Sequence, residues 1–186
     1  CASGLLPYVI KDGRLLHTLI ISPPGCGKTT ILRDLVRLIS DGNSYCRGMN
    51  VGVVDERSEI AACYMGVPQN DVGLRTDILD GCPKAEGMLM LLRSMSPKVI
   101  AVDEIGSRDD IDAISYVINC GCGILATIHG DSIDDIRTRP VLRKLVEEKV
   151  FERYIVLGNS AGIGTVESIF DERGNELYIG SLSVAN

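Results

Sequence analysis

Tryptophan is absent from the 186 residues, which hold only two phenylalanines and six tyrosines. So small an aromatic supply argues against the stacking platforms that bind single-stranded nucleic acid. Basic residues are also in the minority, 19 against 25 acidic ones, for a net charge of −6. That balance lacks the electrostatic footprint of a nucleic-acid-binding protein, although it leaves room for a local basic patch. No nucleic acid is therefore expected as a partner. No apolar run approaches the ~20 residues of a membrane-spanning helix, and no signal peptide is apparent. The seven cysteines are odd in number and scattered, without the doubled C-x-x-C spacing of a zinc site, so no zinc is expected.

What is present is concentrated in eight residues. Ser22-Pro23-Pro24-Gly25-Cys26-Gly27-Lys28-Thr29 follows the apolar run Leu19-Ile20-Ile21 and has the form of a phosphate-binding loop. Gly25 and Gly27 let backbone N–H groups turn toward an anion, Lys28 can reach β and γ phosphates, and Thr29 offers a hydroxyl to Mg²⁺. The usual loop opens with glycine where this one has Ser22, and the Pro23-Pro24 pair is expected to stiffen it in compensation. Apolar residues at Ile31, Leu32, Leu35, Val36, Leu38 and Ile39 predict a helix whose positive N-terminus faces the phosphates. Pro24, Cys26 and Thr30 complete the expected nucleotide-binding set. Cys26 is either a thiol activated by its cationic surroundings or a quiet buried one, the blander alternative being favoured. A disulfide there would obstruct the loop, which points to a reducing cytosol.

Apolar strand-like runs alternate with helical stretches along the chain. Strands are predicted at 16–22, 50–55, 98–103 and 123–128, and helices at 29–40, 57–64, 83–95 and 108–119. Nearly continuous apolar strands joined by helices imply an α/β fold with a mainly parallel sheet covered on both faces. Beyond Arg153 shorter runs at 153–157, 165–170 and 177–179, with a turn at 171–174, predict a C-terminal extension of antiparallel strands.

Ligands in such sheets bind beyond the carboxyl ends of the strands, and there the chain carries acids. Val99-Ile100-Ala101-Val102-Asp103-Glu104 is an apolar strand ending in two carboxylates. Asp103 is suited to hold Mg²⁺ with Thr29, and Glu104 to orient the water that attacks a γ phosphate. Val53-Val54-Asp55-Glu56-Arg57-Ser58-Glu59 offers Asp55, Glu56 or Glu59 to the metal's surroundings or to the water, and Glu56 is the alternative base. A helix N-terminus would favour the same acids without catalysis. His129, at the end of the fourth strand, is a candidate contact to the γ phosphate or to Glu104. His17 falls at the opposite edge and is not expected to take part. Arg57, Arg75, Arg137 and Arg139 are candidates for charge stabilisation, though ordinary surface ion pairs are the simpler reading of each.

Taken in order, the loop, Val54-Asp55-Glu56-Arg57-Ser58-Glu59, Val102-Asp103-Glu104 and Ala126-Thr127-Ile128-His129-Gly130 resemble the boxes of secretion-superfamily ATPases, the RecA-like motors of type II and type IV secretion and type IV pili. From about Leu6 to Phe170 the chain is most similar to the stage III AA family of sporulation ATPases. The resemblance implies a RecA-like P-loop NTPase that hydrolyses ATP with Mg²⁺ and works as a ring, a homo-hexamer. Its expected partners are membrane proteins of the channel between mother cell and forespore, and its expected location is the mother-cell cytoplasm, peripheral to that complex. It also implies a linker over residues 1–12 from an absent N-terminal domain, then an ATPase domain over 13–186. Two other readings stay open: a nucleic-acid-stimulated ATPase of RecA or helicase type, and a P-loop kinase.

Overall fold

The computed structural model describes residues 2–183; Cys1 and residues 184–186, at the two ends of the expected linker and domain, lie outside the described residues. A 3-10 turn (Ala2–Leu5) runs into α1 (Leu6–Val9), followed by the small hairpin β1 (Ile10–Lys11) and β2 (Arg14–Leu15). Then come β3 (Thr18–Ser22), α2 (Lys28–Asp41), β4 (Val51–Asp55), β5 (Thr76–Asp80), α3 (Lys84–Ser94) and β6 (Val99–Val102). The chain continues through α4 (Arg108–Asn119), β7 (Gly123–His129), α5 (Ile133–Thr138), α6 (Pro140–Glu147), β8 (Arg153–Gly158), β9 (Thr165–Asp171) and β10 (Glu176–Ser183).

One eight-stranded sheet organises these elements, in the order β10-β9-β8-β3-β7-β6-β4-β5. From β8 to β5 every pairing is parallel, and β9 and β10 add antiparallel strands at one edge. This is the predicted α/β architecture with its antiparallel extension. Alternate strand residues serve opposite faces. Ile20, Val53, Ala101 and Leu125 join α2 and the N-terminal turns in one core, while Leu19, Ile21, Val54, Val102 and Ala126 join α3 to α6 in the other. The stripe Ile31, Leu32, Leu35, Val36 and Ile39 that predicted α2 is buried against the first core, each side chain contributing about 1.5–3 kcal/mol of transfer free energy.

One expected element is corrected, and two features go beyond the expected set. Residues 57–64 form turns, not a helix: the Asp55 carboxylate accepts the N–H groups of Glu59, Ile60 and Ala61, and Ser58 and Ala62 have φ of 55° and 50°. Side-chain acceptance of those donors replaces the i−4 carbonyls a helix would need. Within the expected linker, Ala2, Leu5, Leu6, Val9 and Ile10 are buried in the first core. β5 was not expected: it is an edge strand, only partly buried, whose Thr76-Asp77-Ile78-Leu79-Asp80 run carries too few apolar residues to stand out.

Candidate functional site

The loop between β3 and α2 is shaped by two left-handed glycines, Gly25 at φ 72° and Gly27 at φ 83°. Such backbone is strained for any residue with a Cβ. Gly27 is the N-cap of α2 and supplies no side-chain acceptor, and no acidic residue occupies the first turn. The first N–H groups of a 14-residue helix thus stand at the loop without an internal partner, an arrangement suited to an anion. Ser22, where glycine is usual, is buried at the end of β3, and its hydroxyl donates to the Pro23 carbonyl at 2.8 Å. The loop from β8 to β9 lies over this turn: a Cβ on Gly27 would sit 3.4 Å from the exposed Ile163 side chain.

Sheet order brings the other groups to the loop. β7 lies between β3 and β6, so Thr127 on β7 faces both neighbours' ends. Its hydroxyl donates to Oδ1 of Asp103 and accepts the backbone N–H of Glu104 at 2.9 Å. The second carboxylate oxygen of Asp103 accepts the Thr29 hydroxyl at 2.7 Å. A hydroxyl and a carboxylate thus meet at the N-terminus of α2. These hard oxygen donors fit Mg²⁺, an ion that usually takes one or two protein ligands and completes its shell with phosphate and water.

Glu104 sits beside that pair, with a backbone φ of 52°. One carboxylate oxygen meets Lys28 Nζ at 2.6 Å and the other meets an Arg57 nitrogen at 2.8 Å. The hydrogen bond from Lys28 is the main influence holding Glu104 below the usual carboxylate range; partial burial opposes it, and the charges of Lys28, Arg57 and His129 assist. Glu104 is accordingly an anion at neutral pH, with acceptor oxygens only.

Of the residues expected at the site, Lys28, Thr29, Asp103 and Glu104 are brought together by direct contact. Arg57 joins them through Glu104, in an ion pair whose arginine side chain is 64% exposed. His129 is exposed at the end of β7, in register with Ser22. Asp55 is 2% exposed and spends both oxygens on three backbone N–H groups. It anchors the loop that carries Arg57. Arg33 of α2 fastens the same loop from outside, donating to the Glu59 and Ile60 carbonyls. Glu56 is ion-paired with Lys84 at the start of α3. Arg137 and Arg139 pair with Asp134 and Asp135, as surface residues do.

Thr127 and Arg33 were not singled out from the sequence. A lone hydroxyl in the apolar run Ile124-Leu125-Ala126-Thr127-Ile128 was the available signal for the first. Thr127→Val keeps the shape and removes the hydroxyl, leaving the Glu104 N–H and one Asp103 oxygen without their partner. It is expected to lower unfolding free energy by about 1–3 kcal/mol, read from the urea midpoint; an unchanged midpoint would show that this hydroxyl is not what holds the pair.

Known proteins bear on this geometry. The family model described as Sporulation stage III, protein AA matches residues 1–177. Stage III sporulation protein AA of Bacillus subtilis (strain 168) is 50% identical over 176 residues, covering 95% of this chain and 57% of that protein. Among solved structures, the VirB11 ATPase from the Brucella suis type IV secretion system aligns with a TM-score of 0.61 at 16% identity, over 91% of this chain and 51% of that one. The Legionella pneumophila ATPase DotB aligns with a TM-score of 0.60 at 14% identity, over 83% and 43%. These likenesses show the fold of secretion ATPases. The chain spans about half the length of the relatives it matches.

Proposed function

The chain belongs to the Sporulation stage III, protein AA family, and on that premise we propose that it is the ATP-hydrolysing module of a secretion-type motor. The observation that carries the reading is the Glu104 carboxylate held between Lys28 and Arg57, directly beside the Thr29–Asp103 pair. A phosphate-binding loop alone would serve a kinase or a switch equally well. A carboxylate within 2.6 Å of the loop lysine adds the group needed to direct water at the γ phosphate.

In this reading the Gly25–Gly27 turn and the first turn of α2 bind the phosphate oxygens, and Lys28 neutralises the γ phosphate. Thr29 and Asp103 would hold Mg²⁺, which would supply positive charge to stabilise the developing phosphate charge. Because Lys28 and Glu104 already touch, a phosphoryl group that takes the Lys28 hydrogen bond frees one Glu104 oxygen for water. Glu104 then orients that water for in-line attack on phosphorus, the bond to the bridging oxygen breaks, and ADP and phosphate result. Arg57 retains the other Glu104 oxygen and fixes the carboxylate plane. Thr127 keeps Asp103 and Glu104 at a constant separation.

The finer reading extends this module to a homo-hexamer in the mother-cell cytoplasm, working on membrane proteins of the channel to the forespore. Family membership and the fold shared with VirB11 and DotB support it, and among the described residues no helix is long and apolar enough to cross a membrane. The test is phosphate release from ATP with and without Mg²⁺, for this chain and for Lys28→Ala. Turnover that requires Mg²⁺, and a loss of nucleotide affinity of about tenfold or more in Lys28→Ala, a cost of about 1.4 kcal/mol or more, are expected. Undiminished release in Lys28→Ala would remove the reading, and phosphoryl transfer to a small acceptor without free phosphate would replace it with a kinase.

A further inference from the structure

A cavity of about 570 Å³ opens at the end of the sheet opposite the Gly25–Gly27 loop. It is formed where strands begin. His17 precedes β3, Asn50 precedes β4, Lys98 precedes β6 and Gly121 precedes β7, and the β1–β2 turn closes one side with Arg14. Although acids outnumber bases in the chain, no aspartate or glutamate lines this cavity, while Arg14, Arg47 and Lys98 do.

The cations differ in their commitments. Arg14 is held by Glu152 through two hydrogen bonds of 2.9 and 2.6 Å, so its charge is largely answered within the fold. Arg47 and Lys98 are exposed and have no acid partner among the described residues. A third cation lies beside the lining residue Gly48: Arg75 donates to the Ser40 carbonyl at 3.1 Å, and its guanidinium would be 2.6 Å from a Cβ on Gly48. Glycine at 48 is what admits that close approach. His17 accepts the Ile124 N–H on Nδ1 at 3.3 Å. In the neutral ring the proton then resides on Nε2, a further donor.

Two lining cations without acid partners, with a third beside the Gly48 wall, form a site for multiple negative charge in an acidic chain. Guanidinium forks and an ammonium suit phosphate oxygens. The glycine-lined wall brings backbone close to a ligand, and no Phe, Tyr or Trp lines the cavity to stack bases. We propose that the cavity binds a small phosphorylated ligand of charge −2 or more, with Arg47 and Lys98 as its anchors and Arg75 adding positive charge from beside Gly48. The site is separate from the phosphate loop, which lies beyond the other ends of the same strands. A five-residue strand such as β3 sets them ~15 Å or more apart.

The test uses inorganic pyrophosphate, titrated calorimetrically without Mg²⁺ into the Lys28→Ala chain, where the phosphate loop is disabled. Saturable binding is expected there, weakening about tenfold or more when Arg47→Gln and Lys98→Gln are added, and weakening with salt as a charge-driven contact should. Both side chains are exposed, so folding should be unaffected; if the double variant melts early, Lys98→Met alone should still weaken binding at least threefold. Loss of all binding in Lys28→Ala, or equal affinity with and without the two cations, would overturn the proposal. Binding of a single-stranded oligonucleotide through these residues, with none of pyrophosphate, would overturn it in favour of a nucleic-acid surface.

Discussion

Glu104→Gln is expected to lower ATP turnover by about 100-fold or more, the usual cost of losing a positioned general base, while nucleotide affinity stays within about threefold, under about 0.7 kcal/mol. The two effects separate because Glu104 touches Lys28 and Arg57 and is not itself part of the loop proposed to bind phosphate. Glutamine has the same shape, so the left-handed backbone at this residue and its N–H bond to Thr127 survive. What is lost is the negative charge that accepts a water's hydrogen bond and draws off its proton. Lys28, released from its ion pair, remains free for the γ phosphate. Single-turnover phosphate release and equilibrium binding of a fluorescent nucleotide read the two quantities. Undiminished release would sink Glu104 as the water-directing group and promote Glu56. That outcome would require Glu56 to leave Lys84, to which it is bound in this structure.

Asp55→Ala is expected to be the most damaging change to stability, about 3–5 kcal/mol, since one substitution leaves three N–H donors without their ionised acceptor. The side chain is buried, and the N–H groups of Ile60 and Ala61 converge on one of its oxygens at 3.0 and 2.8 Å. Against a typical domain stability of about 5–15 kcal/mol, the urea midpoint should fall steeply. Asp55→Asn keeps one acceptor and should lose less. A structural anchor and a catalytic carboxylate are told apart at low temperature, where the folded fraction of Asp55→Ala should still bind nucleotide. A variant with the parental midpoint but no turnover would mean that Asp55 takes part in the chemistry.

The contrast between Asp55 and Asp103 explains how far the sequence could be read. Both follow a run of apolar residues at the end of a parallel strand, and in the sequence they look alike. Asp103 faces Thr29 because β7 separates its strand from β3 and Thr127 bridges the gap. Asp55 lies one strand further out and turns into its own following loop. Sheet order and the conformation of the next six residues decide between the two roles, and neither is a local property. The same local competition defeated the predicted helix at 57–64, where a side chain captured the donors that helical periodicity would have assigned to carbonyls.

Arg57 shows the complementary limit. Nothing in its neighbourhood distinguished it from Arg75, Arg137 or Arg139, yet the loop anchored by Asp55 and Arg33 delivers it to Glu104. Arg75 is carried instead to the far end of the sheet, beside Gly48.

By itself the sequence determined the α/β class, the glycine turn after β3, the helix behind it and the strand that presents Asp103 and Glu104. Each of these rests on short-range requirements, such as glycine torsions, apolar periodicity and a carboxylate at a strand end, that a few consecutive residues express. Only the tertiary structure decided which acids and arginines meet, that Thr127 ties Asp103 to Glu104, that residues 2–11 pack into the core, and that a basic cavity forms at the opposite edge. Those outcomes depend on strand order and on contacts between residues tens of positions apart, and no local pattern encodes them.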